Sequence, residues 1–322
     1  MNKILFVSHG FACYMSDILF HGFKKLGCDI YEYPQGTHYY GGKGWDNMGR
    51  DNFLNFCYFD FKKHELSDDE ILEQNYDFVV ITSWRPEQPW ILENIYKRFK
   101  GKVPIIWVDG EDDLFIRQEE FFSNLYFKRE LKLSNYEEME RKGIKPITFG
   151  IIDDRKSDLI FPIQKKYLLS FIASGHNLQG MRCQMFRKLR DFNDNENIFY
   201  LDVERSKEGY LSYKMYNEIL FDSQIGISIA GEGYDTYRYW EIPYFGAMLM
   251  ADTPTIKIND NFTDMDNAVF FKNLNEFEEK FNYLKDNPAV VREISRRGYE
   301  HLMKFHTSVN RAEYIINEVD KI

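Results

Sequence analysis

Short apolar runs recur along this chain, each closed by a polar or glycine-containing cluster, and the stretches between them keep a helical period. Residues 4–7 form the first run. Beyond a loop, Ile18, Leu19, Phe23 and Leu26 share one face of a predicted helix that Ser16 or Asp17 can cap and Gly27 can end. Residues 28–33, 77–83 and 103–108 read as further strands. A second series follows the polar segment 153–158, with apolar runs at 167–173, 197–201, 224–230 and 247–251. Near the C-terminus Asn287 and Pro288 open a helix, with proline at a tolerated early position. In a last helix, Val309, Ala312, Ile315, Ile316 and Val319 make one apolar stripe. Strands alternating with helices predict parallel sheets wrapped by crossover helices, an α/β class in which ligands bind at the carboxyl ends of the strands. Two doubly wound domains in tandem, with a break after residue 157, is the economical arrangement.

A chain of 322 residues can bury two such cores without disulfide or metal staples. Its 41 Lys and Arg against 51 Asp and Glu leave a net charge of −10, spread evenly over the two halves. That balance argues against general nucleic-acid or anionic-membrane binding, which shows itself as a cation surplus. The four cysteines, Cys13, Cys28, Cys57 and Cys183, fall in no ligand spacing, the N-terminus does not resemble a secretory leader, and no apolar run approaches a membrane span. A reducing cytoplasm is the expected compartment.

Candidate chemistry concentrates between residues 230 and 252. Gly231 and Gly233 follow a buried strand and precede a helix, so backbone amides and the positive helix end would face an anion there. Arg238 and Glu241, three apart, can share a helix face, one suited to phosphate oxygens and the other to sugar hydroxyls. An intrahelical ion pair on a solvated face is the plainer alternative. Pro243 inside this helix is a local cost that functional sites tolerate. A second loop, Ala173-Ser174-Gly175-His176-Asn177, ends a strand ahead of a helix with Arg182, and can admit a diphosphate or be an ordinary turn. The acidic run Asp109-Gly110-Glu111-Asp112-Asp113 can hold Mg²⁺ or contact an acceptor. Ser83-Trp84-Arg85 also follows a strand, and Trp84 is equally suited to the core.

The segment from Asp235 to Ala247, DTYRYWEIPYFGA, resembles the nucleotide-sugar motif of the spore-maturation CgeB-like glycosyltransferases and, more distantly, the exostosins. The tail agrees: Arg297-Gly298-Tyr299, then His306-Thr307 and Arg311-Ala312, is similar to that family's closing pattern. Residues 109–113 and 126–130 also resemble bacterial members. The resemblance implies a GT-B fold, with two Rossmann-like domains facing a central cleft. Residues 1–157 would bind the acceptor, 158–306 the donor, and 307–322 would cross back onto the first domain. It implies a transferase that moves sugar from a nucleoside-diphosphate donor, UDP favoured, to a glycan, protein, lipid or small-molecule hydroxyl, with no metal or other cofactor. Glu241 becomes the expected ribose ligand. Arg238, Gly231, Gly233, Thr236, Tyr237, Ser174, Gly175 and Arg182 complete the donor set. Trp84, Arg85 and Glu111 are expected at the acceptor, and His9, Asp17 and Asp109 are the candidate bases. Glu232 and Glu241 are separated by eight residues where many retaining relatives of this fold have seven between two glutamates, so only Glu241 is carried over. The rival readings are a Mg²⁺-dependent phosphoryl-transfer enzyme or hydrolase built on residues 109–113, and a nucleotide-sugar-binding protein without turnover.

Overall fold

The computed structural model describes residues 1–8, 13–35, 61–82, 89–117, 122–153, 164–175, 180–192, 197–203 and 211–322. The chain forms two compact units. The first comprises Met1–Ile152, Ile256–Asn259 and Thr307–Ile322, and the second Asp153–Thr255 and Asp260–His306.

In the first unit, β1 (Lys3–Val7), β2 (Asp29–Tyr33), β3 (Phe78–Ile81), β4 (Ile105–Asp109), β5 (Leu125–Lys128) and β6 (Ile144–Pro146) make one parallel sheet in the order β2-β1-β3-β4-β5-β6. Alternate residues serve opposite faces. Leu5, Val7, Val79, Ile81, Ile105 and Trp107 join a core with Ile91, Leu92 and Ile95 of α3 (Pro89–Phe99). On the other face Phe6 packs edge-on against Phe20 of α1 (Tyr14–Lys25), ring centroids 5.4 Å apart. Helix α1 begins two to three residues earlier than its expected caps. Cys13 is the N-cap without a side-chain bond, while Ser16 and Asp17 lie buried inside the first turn. The residue after the C-cap, Gly27, has φ +78°, the left-handed value that ends a helix at low cost.

Helix α10 (Ser308–Val319) packs on α1 within this unit. Gly22 makes the approach possible: a Cβ there would lie 2.6 Å from the carbonyl carbon of Ser308. The buried face of α10 is not the predicted stripe. Ala312 and Ile315 are on it, but so are Ser308, Arg311 and Glu318, whereas Val309, Ile316 and Val319 are only half-buried. Arg311 donates to the Thr148 carbonyl at 2.8 Å and the Phe149 carbonyl at 2.7 Å, and Glu318 pairs with Lys145 at 2.6 Å. Polar partners across space therefore place charged residues on a face that periodicity assigns to apolar ones. The short return at Ile256–Asn259 is held by the Lys257 amide, which donates to the Leu131 carbonyl at 2.7 Å.

The second unit has β7 (Tyr167–Ala173), β8 (Ile198–Asp202), β9 (Ser223–Ser228), β10 (Met248–Asp252) and β11 (Val269–Phe271), all parallel, in the order β11-β10-β9-β7-β8. Helix α5 (Met181–Asp191) follows β7, α6 (Tyr213–Phe221) precedes β9, and α7 (Tyr237–Tyr244) links β9 to β10. A glycine seats α7 close to β9: at Gly226 a Cβ would meet Ile242 at 2.7 Å. At Gly298 of α9 (Pro288–Phe305) a Cβ would meet the Asn267 carbonyl oxygen at 2.6 Å and Pro243 of α7 at 3.8 Å. The carbonyl of Gly246, just past α7, accepts from Lys165 Nζ at 2.5 Å and Ser295 Oγ at 2.8 Å, and burial pushes the Lys165 amine down to about 8. Pro288 is the first residue of α9, as expected.

Candidate functional site

Each sheet changes direction once. In the second unit β7 leads outward to β8, while β9 leads the other way to β10 and β11, so the carboxyl ends of the adjacent strands β7 and β9 form the switch point. Open parallel sheets bind ligands at such points because the flanking loops diverge there. The two loops singled out from the sequence, at Ser174-Gly175 and at 230–236, are the two that leave this point.

Arg182, in the first turn of α5, reaches across to the second loop. Its Nε and Nη2 both donate to the Ile229 carbonyl, at 3.0 and 2.9 Å, and a Cβ on Gly231 would lie 2.7 Å from Nη2. Gly231 is therefore small because a guanidinium packs against it, and its own amide donates to the Gly233 carbonyl at 2.8 Å. The Gly175 amide donates to the Asp202 carboxylate at 3.1 Å, so this loop is tied to the end of β8. Ser174 Oγ and Arg238 Nε, by contrast, are buried atoms with no hydrogen-bond partner among the described residues. Buried polar atoms of this kind call for an explanation, and a ligand is one.

Thr236 is the N-cap of α7, yet its hydroxyl pairs with Ser228 Oγ at 2.9 Å and caps no amide of the helix. Tyr237 is half-buried beside it. Glu241 is 1% exposed, and one carboxylate oxygen accepts from the Tyr216 hydroxyl of α6 at 2.7 Å. Its sequence neighbours Trp240 and Ile242 are at 0% exposure, so Glu241 does not lie on a solvated face, and Arg238 is half-buried. Trp240 donates to Asp235 at 2.7 Å, and Tyr239 donates to Asn261 at 2.6 Å. The aromatic residues of this segment thus fix the helix from behind.

Asp252 carries no motif and is absent from the sequence expectations. It closes β10, next to the switch point, and accepts from the Ala230 amide at 3.1 Å. Burial pushes its carboxyl up to about 6, and hydrogen bonding and Arg182 only partly offset that. The sign follows directly. The folded state holds this proton more tightly than the unfolded state, so stability falls as pH rises from about 4 to about 6 and the penalty is complete above that window. Asp252→Asn keeps an acceptor for Ala230 and removes the penalty, an upper figure of about 3 kcal/mol. Its unfolding temperature should exceed wild type by several degrees at pH 7.5 and by much less at pH 4.5; equal shifts at both values would refute the assignment.

In the first unit the switch point lies between β1 and β3. Ser8, just past β1, donates to the fully buried Glu32 of β2 at 2.8 Å, and Ser16 donates to Thr82, past β3, at 2.7 Å. Asp17 sits in the same buried turn. His9, Trp84, Arg85 and His176 lie outside the described residues. Asp109 ends β4, and both of its oxygens are engaged. Oδ2 accepts from Tyr126 at 2.6 Å and Arg117 at 3.3 Å, while Oδ1 accepts from the fully buried Lys128 at 3.1 Å and the Glu111 amide at 3.1 Å. Asp113 pairs with Arg117, and Asp112 with Arg129, while Glu111 is exposed. The acidic run is thus threaded by three cations. Among the described residues no group of three or more His, Cys, Asp or Glu side chains is arranged to hold a metal ion.

Residues 177–317 match the glycosyl transferase-like family model. No curated protein matches the sequence significantly. Among solved structures, an alpha-glucosyltransferase in complex with UDP-glucose and abasic-site DNA aligns over 99% of both chains at 12% identity and a TM-score of 0.61. HepE of Anabaena in complex with UDP-glucose aligns over 100% of both at 10% identity and 0.57. Sucrose-phosphate synthase of Thermosynechococcus elongatus aligns over 100% of this chain and 99% of that one, at 10% and 0.54. The fold is that of the GT-B glycosyltransferases. Within this GT-B frame both Rossmann-like sheets present their switch points as described. Among the described residues no helix is long and apolar enough to cross a membrane.

Proposed function

We propose that this chain is a metal-independent glycosyltransferase of the CgeB-like kind, moving a sugar from a UDP-sugar to a hydroxyl acceptor in the cytoplasm. The second unit binds the donor and the first the acceptor. One observation carries the reading. A buried carboxylate suited to ribose hydroxyls, Glu241, and an arginine whose buried Nε has no hydrogen-bond partner among the described residues, Arg238, lie one turn apart on the helix that leaves the switch point of the second sheet. UDP is favoured because neighbours of the same fold were solved with UDP-glucose.

The chemistry follows from charge. The acceptor oxygen attacks the anomeric carbon, the bond to the diphosphate breaks, and UDP departs with the electron pair. Negative charge then grows where Arg238 and the first-turn amides of α7 can meet it. Arg182 and Asp252 keep the 230–236 loop in place. A base must take the acceptor proton in a direct displacement. Asp109 is better suited to anchor the loop that follows β4, since four donors already occupy its oxygens. His9 and Asp17, which follow β1, remain the base candidates. The same four contacts count against a Mg²⁺-dependent hydrolase built on residues 109–113.

Titration calorimetry with UDP, UDP-sugars and GDP tests the donor assignment, and transfer that persists in EDTA tests the metal-free reading. Arg238→Ala should weaken UDP roughly 10-fold or more while uridine changes little, as expected for a charge-assisted contact. Equal losses for both ligands would remove its phosphate role, and binding without turnover of any donor would favour a silent binding protein.

A further inference from the structure

Glu241 does not stand alone. Helix α6, which contributes none of the expected site residues, places the Tyr216 hydroxyl 2.7 Å from its Oε2, a contact that spans 25 positions of sequence. The Tyr216 ring packs separately on the small core of Ile172, Leu201, Val203 and Ile219. Its hydroxyl is therefore held at a fixed point whether or not Glu241 is present.

We infer that Tyr216 is a positioning residue that sets the ribose selectivity of the donor site by orienting the Glu241 carboxylate. This rests on the ribose reading of Glu241. The physical argument concerns direction. A glutamate has three rotatable side-chain bonds and a carboxylate with about four acceptor positions, and a bidentate grip on two vicinal hydroxyls needs the carboxylate plane in one orientation. One strong phenolic hydrogen bond fixes that plane and uses one acceptor position. Discrimination for a ligand hydroxyl depends on this order, because a site built to receive a hydroxyl penalises the analogue that lacks it only while its own groups cannot turn to find other partners. Losing the phenol leaves the carboxylate in place and removes this constraint on its plane.

Calorimetry with UDP and 2′,3′-dideoxy-UDP on wild type, Tyr216→Phe and Glu241→Ala tests this. Wild type should prefer UDP by roughly 10- to 100-fold, the range of one or two hydrogen bonds to a charged group. Tyr216→Phe should cut that preference to a third or less with dideoxy-UDP affinity unchanged within 2-fold, since the phenyl ring keeps its packing. A preference left intact, or an equal loss for both ligands, would overturn the positioning role. Should the phenylalanine variant fail to fold, Tyr216→Met keeps the apolar bulk and serves the same comparison. Glu241→Ala separates the two layers: if it retains the wild-type preference, the ribose reading itself fails, whatever Tyr216 does.

Discussion

Alanine at Gly22 is expected to lower the unfolding temperature of the first unit by roughly 6–12 °C, a loss of about 3 kcal/mol or more. Two effects oppose one another at this position. In an isolated helix, glycine to alanine stabilises by about 1 kcal/mol, because the backbone loses less freedom on folding. Here the added carbon would lie 2.6 Å from the Ser308 carbonyl carbon and 2.9 Å from the Ala312 Cβ, and a backbone carbonyl cannot swing aside as a flexible side chain does. The helix pair must separate, and that pulls on the Arg311 contacts to Thr148 and Phe149 and on the 2.7 Å contact between His21 Nδ1 and Ser308 Oγ. The overlap outweighs the propensity. Differential scanning fluorimetry decides the matter by sign, since a rise in unfolding temperature would mean that α1 and α10 are not packed as described.

Glu241→Ala should weaken UDP binding roughly 10- to 100-fold, about 1.5–3 kcal/mol for hydrogen bonds to a charged acceptor. Helix α7 should persist in the variant. Its seating depends on Gly226 and the Lys165 and Ser295 contacts to Gly246, none of which involves this side chain. Calorimetry on the folded variant therefore reports the ligand contact, and an unchanged dissociation constant would remove Glu241 from the site.

Strands that declare themselves by four or more consecutive apolar residues, such as β1, β3 and β10, were legible from periodicity alone, as was the alternation that implies parallel sheets. Strands β5, β6 and β11 were not. LYFK, IKP and VFF are too short or too mixed to stand out, and Lys128 is buried in β5 where Asp109 of the adjacent strand and Asp113 pair with it. The stripe on α10 misleads for the same reason: Arg311 and Glu318 are buried by virtue of partners more than 160 positions away. In the second unit, glycine spacing, charge and a family-like motif single out Gly231, Arg238 and Glu241 from sequence. Asp252 and Tyr216 are single polar residues without local pattern, and only the tertiary fold brings them to Ala230 and Glu241. Local periodicity reports what a segment buries, whereas a pairing between distant segments leaves no local trace.

The interleaved order of the two units bears on synthesis. Residues 1–152 leave the ribosome first, but the helix that packs on α1 comes more than 150 residues later. At about 5–20 residues per second, that delay is on the order of 10–30 s. Throughout it the nascent first unit exposes the face of α1 around His21 and Gly22, while the second unit, complete by His306, can already be folded. The first unit to be made is thus the last to finish. A chaperone that shields α1 would find its longest opportunity there, and a chain that stalls before residue 308 would carry a finished second unit beside a first unit open along α1.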